Sequence, residues 1–230
     1  MCARLEADNA KKAPDGLQRF FEGARRKTTP ETPGFIIDGG RLNIEAPRVL
    51  QKPANIIKLF EIAERRDLDI HPAALGEAAR RSRAMTPAWR KEEESRETFL
   101  KVVESPRHPA AALKLMNEAG VLGKFVPEFG RIVAQMQFNM YHHYTVDEHT
   151  LRAIDAISEI EHGRHTDQHP LASEIFPKII NRRALYLAML LHDTGKGEGD
   201  QQIEGEKSAR GACERFGLPQ EEVDLVGWLV

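Results

Sequence analysis

An adjacent pair, His192 and Asp193, stands at the end of an apolar run, in the string LLHDTGKG. The run RRALYLAMLLHD is apolar nearly all round when it is drawn as a helix, which predicts a central position in a helical bundle. A carboxylate that ends the most buried helix costs free energy unless a cation compensates its charge. The alternative is an ordinary helix end with Asp193 turned towards solvent, so the pair alone leaves its chemistry open.

His149 precedes this pair on another predicted helix, in the string MYHHYTVDEHTLRAI. Thr145 and Glu148 form a T-x-x-E pattern, which predicts a capping box at the start of that helix. His149 lies between Val146 and Ala153 at helical spacing, so we expect it on the buried face. A buried imidazole needs a hydrogen-bond partner or a metal, and a single such histidine can equally be a satisfied core residue.

The charge balance excludes some partner classes. The chain has 33 Lys and Arg against 35 Asp and Glu, a net charge of -2, which gives no electrostatic reason to expect nucleic acid or an anionic membrane. Its two cysteines, Cys2 and Cys213, do not form a disulfide framework. The longest apolar run is far too short to span a bilayer, and the N-terminus has no apolar signal core. We therefore expect a cytoplasmic protein without nucleic-acid or membrane partners.

Helical spacing of apolar residues dominates the chain from Pro53 onwards, which predicts an all-α fold. Prolines and glycines interrupt residues 28–47, where we expect loop with one hairpin, FIID-GG-RLNI. We assign residues 1–47 to an irregular N-terminal segment and residues 48–136 to a helical linker region. Residues 137–230 are then left as the helical bundle that carries both histidine strings.

The pattern H…HDTGK resembles the metal-dependent HD phosphohydrolase superfamily, whose fold is an all-α bundle. The resemblance implies that residues 137–230 form an HD domain in which His149, His192 and Asp193 bind a divalent cation. Mn or Mg is the expected metal, with Zn or Fe as alternatives, because nitrogen and carboxylate ligands together suit these ions. It also implies catalytic roles for Asp193 and Lys196, the latter as a point charge on a phosphate oxygen.

Four longer strings resemble one family more closely, the bifunctional PII uridylyltransferase/uridylyl-removing enzymes of bacterial nitrogen control. They are GRIVAQMQFNMYHHYTVDEHTLRAI, HPLASEIFP, LHDTGKGEG and GLPQEEVDLVGWLV. The resemblance is close from about Gly130 to Val230 and looser over roughly 48–129. It implies hydrolysis of uridylyl-tyrosine on the PII signal protein, with glutamine acting on the parent protein through domains that this chain lacks. An HD hydrolase of a free nucleotide and a non-catalytic module that binds PII remain as alternatives.

Three features depart from the family pattern. The nucleotidyltransferase signature, G-S followed by D-x-D on a strand, is missing: the D-L-D string at residues 67–69 has no G-S before it, and we interpret it as surface. Residues 1–47 would then be a remnant of, or junction to, that domain. The chain ends at Val230 inside an apolar helix, so we expect the HD domain to be truncated there and to lack its last Asp ligand. Residues 200–202 read D-Q-Q where relatives have D-H-S, and we expect a secondary metal or phosphate contact to be altered.

The remaining histidines are weaker candidates. His142 matches a histidine of the family and lies just before the helix, so it is a candidate for the rim of the site, whereas His143 falls where the family varies. The polar loop EHGRHTDQHP contains His162, His165 and His169. Their irregular spacing and the lack of a cysteine favour an exposed loop over a zinc site.

Overall fold

A small antiparallel sheet lies at the N-terminal side of the computed structural model, which describes residues 27–28, 32–136, 144–197 and 199–230. Its strands are β1 (Lys27–Thr28), β2 (Phe35–Asp38) and β3 (Arg41–Ile44), in the order β1-β2-β3. Between β2 and β3, Gly39 and Gly40 have φ angles of 56° and 79°. Two consecutive left-handed residues make a type I′ turn, whose twist matches the paired strands. The predicted hairpin is confirmed.

Helices make up most of the remaining described chain, so the predicted all-α class is confirmed apart from this sheet. The α-helices are α1 (Pro53–Arg65), α2 (Pro72–Ala84), α3 (Glu93–Val103), α4 (Pro109–Glu118), α5 (Leu122–Phe125), α6 (Pro127–Ile132), α7 (Val146–Glu161), α8 (Pro170–Ile175), α9 (Arg182–Leu191), α10 (Gln201–Phe216) and α11 (Gln220–Leu229). Short 3₁₀ helices cover Pro47–Gln51, Pro87–Lys91 and Phe176–Lys178. Within the described ranges, none of the helices combines the length and the apolar character needed to cross a membrane.

Proline defines the starts of several helices. Pro53, Pro72, Pro109, Pro127 and Pro170 each open a helix. Proline is tolerated at this position because the first N–H groups of a helix have no intrahelical acceptor and its φ angle is already helical. The prolines therefore divide the chain into short helices that can pack around a common core.

The hydrophobic core is one cluster that extends from Phe35 to Val226. Aromatic contacts join distant parts of it: the ring of Phe125 lies 5.3 Å from Trp89 and 5.1 Å from Phe99, and Phe99 lies 5.2 Å from Phe216. These contacts tie α3 and α5 to the end of α10. The division into residues 1–47, 48–136 and 137–230 stays a prediction.

Helix α9 lies at the centre of the C-terminal half, where it contacts α7, α10 and α11. Six of its residues are buried, namely Ala184, Tyr186, Leu187, Ala188, Leu190 and Leu191. At its start, the Arg182 guanidinium donates to both carboxylate oxygens of Glu161, and the Tyr186 hydroxyl donates to the same carboxylate at 2.6 Å. Burial alone would raise the pKa of Glu161, but these hydrogen bonds lower it. The anchored ends of α7 and α9 hold α7, which carries His149, beside the helix that His192 follows.

Helix α11 divides its apolar residues between core and surface. Val223 and Val226 are buried, whereas Trp228 is 78% exposed and Leu229 is also exposed. The apolar residues of this helix therefore cover two faces rather than one.

Candidate metal centre

Three side chains from two helices meet beside the end of α9. Helix α9 ends at Leu191, and His192 and Asp193 follow directly, while His149 lies in the first turns of α7. One ligand atom from each of His149, His192 and Asp193 lies within 4.8 Å of the other two. Across the part of the chain that the structure describes, this is the one such group of three histidine, cysteine or acidic side chains.

Burial differs sharply among the three. Asp193 is only 4% exposed, His192 is partly buried and His149 is exposed. The expectation that His149 lies on the buried face is therefore wrong. The buried face of α7 runs through Asp147, Thr150 and other residues, so it is rotated away from the stripe that the apolar pattern suggested. His149 consequently lies at the edge of the helix, exposed to solvent and close to the pair that follows α9.

His192 is held in a defined orientation by its own helix. Its Nδ1 lies 2.7 Å from the carbonyl oxygen of Met189. A carbonyl only accepts, so Nδ1 carries the proton and the neutral ring offers its lone pair at Nε2. Burial lowers the pKa of His192, but the hydrogen bond that a protonated Nε2 would donate to Asp193, together with the bond to Met189, raises it by more. A cation at Nε2 would therefore compete with a proton.

The carboxylate of Asp193 is anionic and already has two partners. Its Oδ2 accepts from the Lys196 ammonium at 2.7 Å and lies 3.3 Å from His192 Nε2. Burial would raise the pKa of Asp193, but these neighbours lower it to about 2. Lys196 thus directly contacts one of the candidate ligands, Asp193.

A contact between two glycines positions the loop that carries Asp193 and Lys196. A Cβ on Gly195 would lie 2.4 Å from the backbone nitrogen of Gly205 and 2.5 Å from the carbonyl oxygen of Gln201, both on α10. The loop therefore rests directly on the backbone of α10. Thr194 adds a hydrogen bond to Leu191 O at 2.8 Å. At the start of α10, the Asp200 carboxylate accepts from the N–H groups of residues 202 and 203, so this residue acts as an N-cap.

Asp147 is a residue of this region that the sequence pattern did not single out. It is 7% exposed, and its carboxylate accepts from Ala134 N at 3.1 Å and from Asn117 Nδ2 at 2.8 Å. Burial raises its pKa, but these bonds and one from Thr145 lower it. The carboxylate ties α4 and the turn after α6 to the first turn of α7. The sequence signal that could have identified Asp147 was a carboxylate at a helix N-terminus, two residues before a candidate histidine.

The predicted capping box at the start of α7 is wrong. The Thr145 side chain makes no capping bond to the helix, and its hydroxyl pairs with the Asp147 carboxylate instead. Glu148 accepts from Arg152 at 2.7 Å, one turn further along. The Thr145 hydroxyl therefore forms a hydrogen bond with the Asp147 carboxylate instead of the backbone bond that the pattern predicted.

Among the described residues, the other candidate side chains are not part of this group. His142 and His143 lie outside the described residues. His162 is fixed between two carbonyl oxygens, Ser158 O and Pro106 O, and its loop partners His165 and His169 have no further metal-binding side chain in reach among the described residues. The D-L-D string at 67–69 lies in the turn after α1.

The donor set fits a divalent cation. Two imidazole nitrogens and one carboxylate oxygen match ions bound at about 2.0–2.2 Å, which need ligand atoms roughly 3–4 Å apart. The 3.3 Å separation of His192 Nε2 and Asp193 Oδ2 lies in this range. One ligand atom from each of the three side chains lies within 4.8 Å of the other two, so small side-chain adjustments would bring all three onto one ion.

Comparisons with known proteins give relatives for the whole chain. Residues 35–125 match the family model of the uridylyltransferase GlnD third domain. The chain is 53% identical over 99% of its length to the bifunctional uridylyltransferase/uridylyl-removing enzyme of Phenylobacterium zucineum, and covers 24% of that protein. It is 52% identical to the enzyme of the same name from Caulobacter vibrioides, over 99% of this chain and 25% of that protein. It is 45% identical to the one from Azospirillum brasilense, over 100% of this chain and 24% of that protein. The chain thus spans about a quarter of the length of these relatives, and the resemblance inferred from its sequence is confirmed.

Proposed function

We propose that this chain, homologous over its length to about a quarter of the bifunctional uridylyltransferase/uridylyl-removing enzymes, carries the uridylyl-removing activity. The reaction is hydrolysis of the phosphodiester that joins UMP to a tyrosine of the PII signal protein. The observation that carries the proposal is the convergence of His149, His192 and Asp193 on one point, with Lys196 beside them. In the parent protein, glutamine would regulate this activity through other domains.

His149, His192 and Asp193 would hold a divalent cation, with Mn or Mg favoured. Such an ion, when bound, polarises a phosphoryl oxygen and lowers the pKa of water from 15.7 to about 7, so that hydroxide is available near neutral pH. Met189 keeps the lone pair of His192 directed at the site, and the low pKa of Asp193 keeps its carboxylate charged. The chain thus supplies a preorganised set of ligands without any rearrangement of α9.

Lys196 is proposed to act on the substrate itself. Its ammonium lies beside the ligand carboxylate, where it can offset the negative charge that builds up on the phosphodiester. Water adds to phosphorus, the bond from phosphorus to the tyrosyl oxygen breaks, and the tyrosine oxygen takes up a proton. The products are UMP and the unmodified tyrosine.

The test is UMP release from uridylylated PII by the purified 230-residue chain with Mn²⁺. We expect release by the wild type and by Asp167→Asn, a control in an exposed loop, and no release by Asp193→Asn. Hydrolysis of UTP but not of uridylylated PII would instead indicate a free-nucleotide hydrolase. Binding of PII without any release of UMP would indicate a regulatory module and would contradict the proposal.

A further inference from the structure

Gln135 lies between the two elements that carry the candidate ligands. Its carbonyl oxygen accepts from the N–H of Val146 at 3.0 Å, which attaches it to the start of α7. On its other side, its Nε2 lies 3.3 Å from the position that a Cβ on Gly197 would take. Gly197 follows Lys196 directly, so the Gln135 amide packs against the loop that holds the lysine. His149 is in the first turns of the same α7.

The backbone before Gln135 adopts a conformation that a non-glycine residue rarely takes. Ala134 has a φ angle of 58°, in the left-handed region. The Asp147 carboxylate accepts from Ala134 N at 3.1 Å and so holds this turn in place. Unfavourable backbone geometry that is held by a buried side chain is concentrated at functional sites. The effect here is to fix where the next residue, Gln135, points.

The Gln135 side chain has an unsatisfied polar atom. Its Oε1 is shielded from solvent and has no hydrogen-bond partner among the described residues. Buried polar atoms in folded proteins are nearly always paired, so an unpaired one beside a candidate site marks a group that a bound ligand could engage. An amide can turn by 180° about its last side-chain bond, so it can present its N–H groups to a ligand and still fill the same space.

We propose that Gln135 is a substrate-binding residue of this site, whose amide N–H donates to a non-bridging phosphoryl oxygen next to Lys196. The inference rests on the proposed hydrolysis of a phosphodiester. Lys196 supplies charge, and the amide supplies a directed hydrogen bond, so the two together would orient the phosphoryl group. Gly197 leaves the amide this room because it has no Cβ.

The test measures binding of UMP and of inorganic phosphate to the Mn²⁺-loaded chain by calorimetry. We expect Gln135→Ala to weaken both ligands about tenfold, the effect of losing one hydrogen bond to a charged group. Gln135→Glu should weaken them further, because a carboxylate would face the phosphate. Gln168→Ala, in an exposed loop, is the matched control and should bind both ligands like the wild type.

Two further measurements separate this role from others. Affinity for Mn²⁺ should stay within about twofold of wild type in Gln135→Ala; a large fall in metal affinity would make Gln135 a positioning residue for the ligands and overturn the phosphoryl contact. Unchanged phosphate binding, or no binding of either ligand by the wild type, would also overturn it. Failure of the wild type to release UMP from PII, with phosphate binding still dependent on Gln135, would refute the proposed function and leave this contact standing.

Discussion

Gly195→Ala is expected to displace the loop that carries Asp193 and Lys196. The added Cβ would lie 2.4 Å from the backbone nitrogen of Gly205, whereas ordinary contacts begin at 3.4 Å. Both opposing atoms within 2.5 Å are backbone atoms of α10, so no side chain can move aside. The loop and the helix must therefore separate by about 1 Å, and such overpacking typically costs about 1–3 kcal/mol of unfolding free energy.

The same displacement should impair metal binding and activity more than it lowers the stability of the fold. Misplacement of reacting groups by about 1 Å can reduce activity roughly 100-fold. We expect Gly195→Ala to bind Mn²⁺ at least tenfold more weakly by calorimetry and to unfold at lower urea concentration. The paired readouts show whether the loop is held by α10 or merely lies near it.

Gly211→Ala provides the matched control on the same helix. A Cβ at Gly211 meets no atom within 4 Å. At an exposed position inside a helix such as Gly211, alanine is more favourable than glycine by roughly 0.5–1 kcal/mol, so this variant should be slightly more stable and bind metal normally. Wild-type metal affinity and stability in Gly195→Ala would refute the argument that the glycine contact positions the site.

Three further outcomes are expected. Asp193→Asn should abolish Mn²⁺ binding while the circular dichroism of the helices stays unchanged, and global unfolding would instead make Asp193 structural. Lys196→Met should keep Mn²⁺ affinity but reduce UMP release about 100-fold or more, as loss of an electrostatic contact to the transition state does. Glu161→Gln should cost about 1–3 kcal/mol at pH 7, because Arg182 loses its charged acceptor. Since the pKa of Glu161 is lowered on folding from its ordinary 4.5, the stability it contributes is complete above that value and lost as pH falls below it. When the free energy of unfolding is measured in urea between pH 7 and pH 3, it should therefore fall less steeply with decreasing pH in the variant than in the wild type.

Local patterns in the sequence were sufficient for much of the fold. Gly39-Gly40 between two short apolar segments predicted the hairpin, and the helical period from Pro53 onwards predicted the fold class, because turn chemistry and periodicity act over a few residues. The meeting of His149 with His192 and Asp193 came from a family resemblance, since no local rule relates residues that far apart. The family resemblance therefore predicted a long-range contact that the periodicity of the sequence could not predict.

The remaining features depend on packing that no local pattern reports. The face of α7 that becomes buried was misjudged because its interior contains the polar residues Asp147 and Thr150, which an apolar stripe does not reveal. The capping box failed for a related reason: the Thr145 hydroxyl had a better acceptor in the Asp147 carboxylate. The contact of Gly195 with Gly205 and the position of Gln135 likewise appear only when the elements are assembled.

The unbroken hydrophobic core has a consequence for how the molecule opens. Because the ring of Phe125 contacts both Trp89 and Phe99, and Phe99 contacts Phe216, neither α3 nor the end of α10 can separate from the other without exposing aromatic surface. Amide protons in α3 and in the last turns of α10 should then exchange with deuterated solvent at similar, slow rates set by global unfolding. A cation bound to the loop after α9 would slow exchange in α3 as well, although α3 contributes none of its ligands.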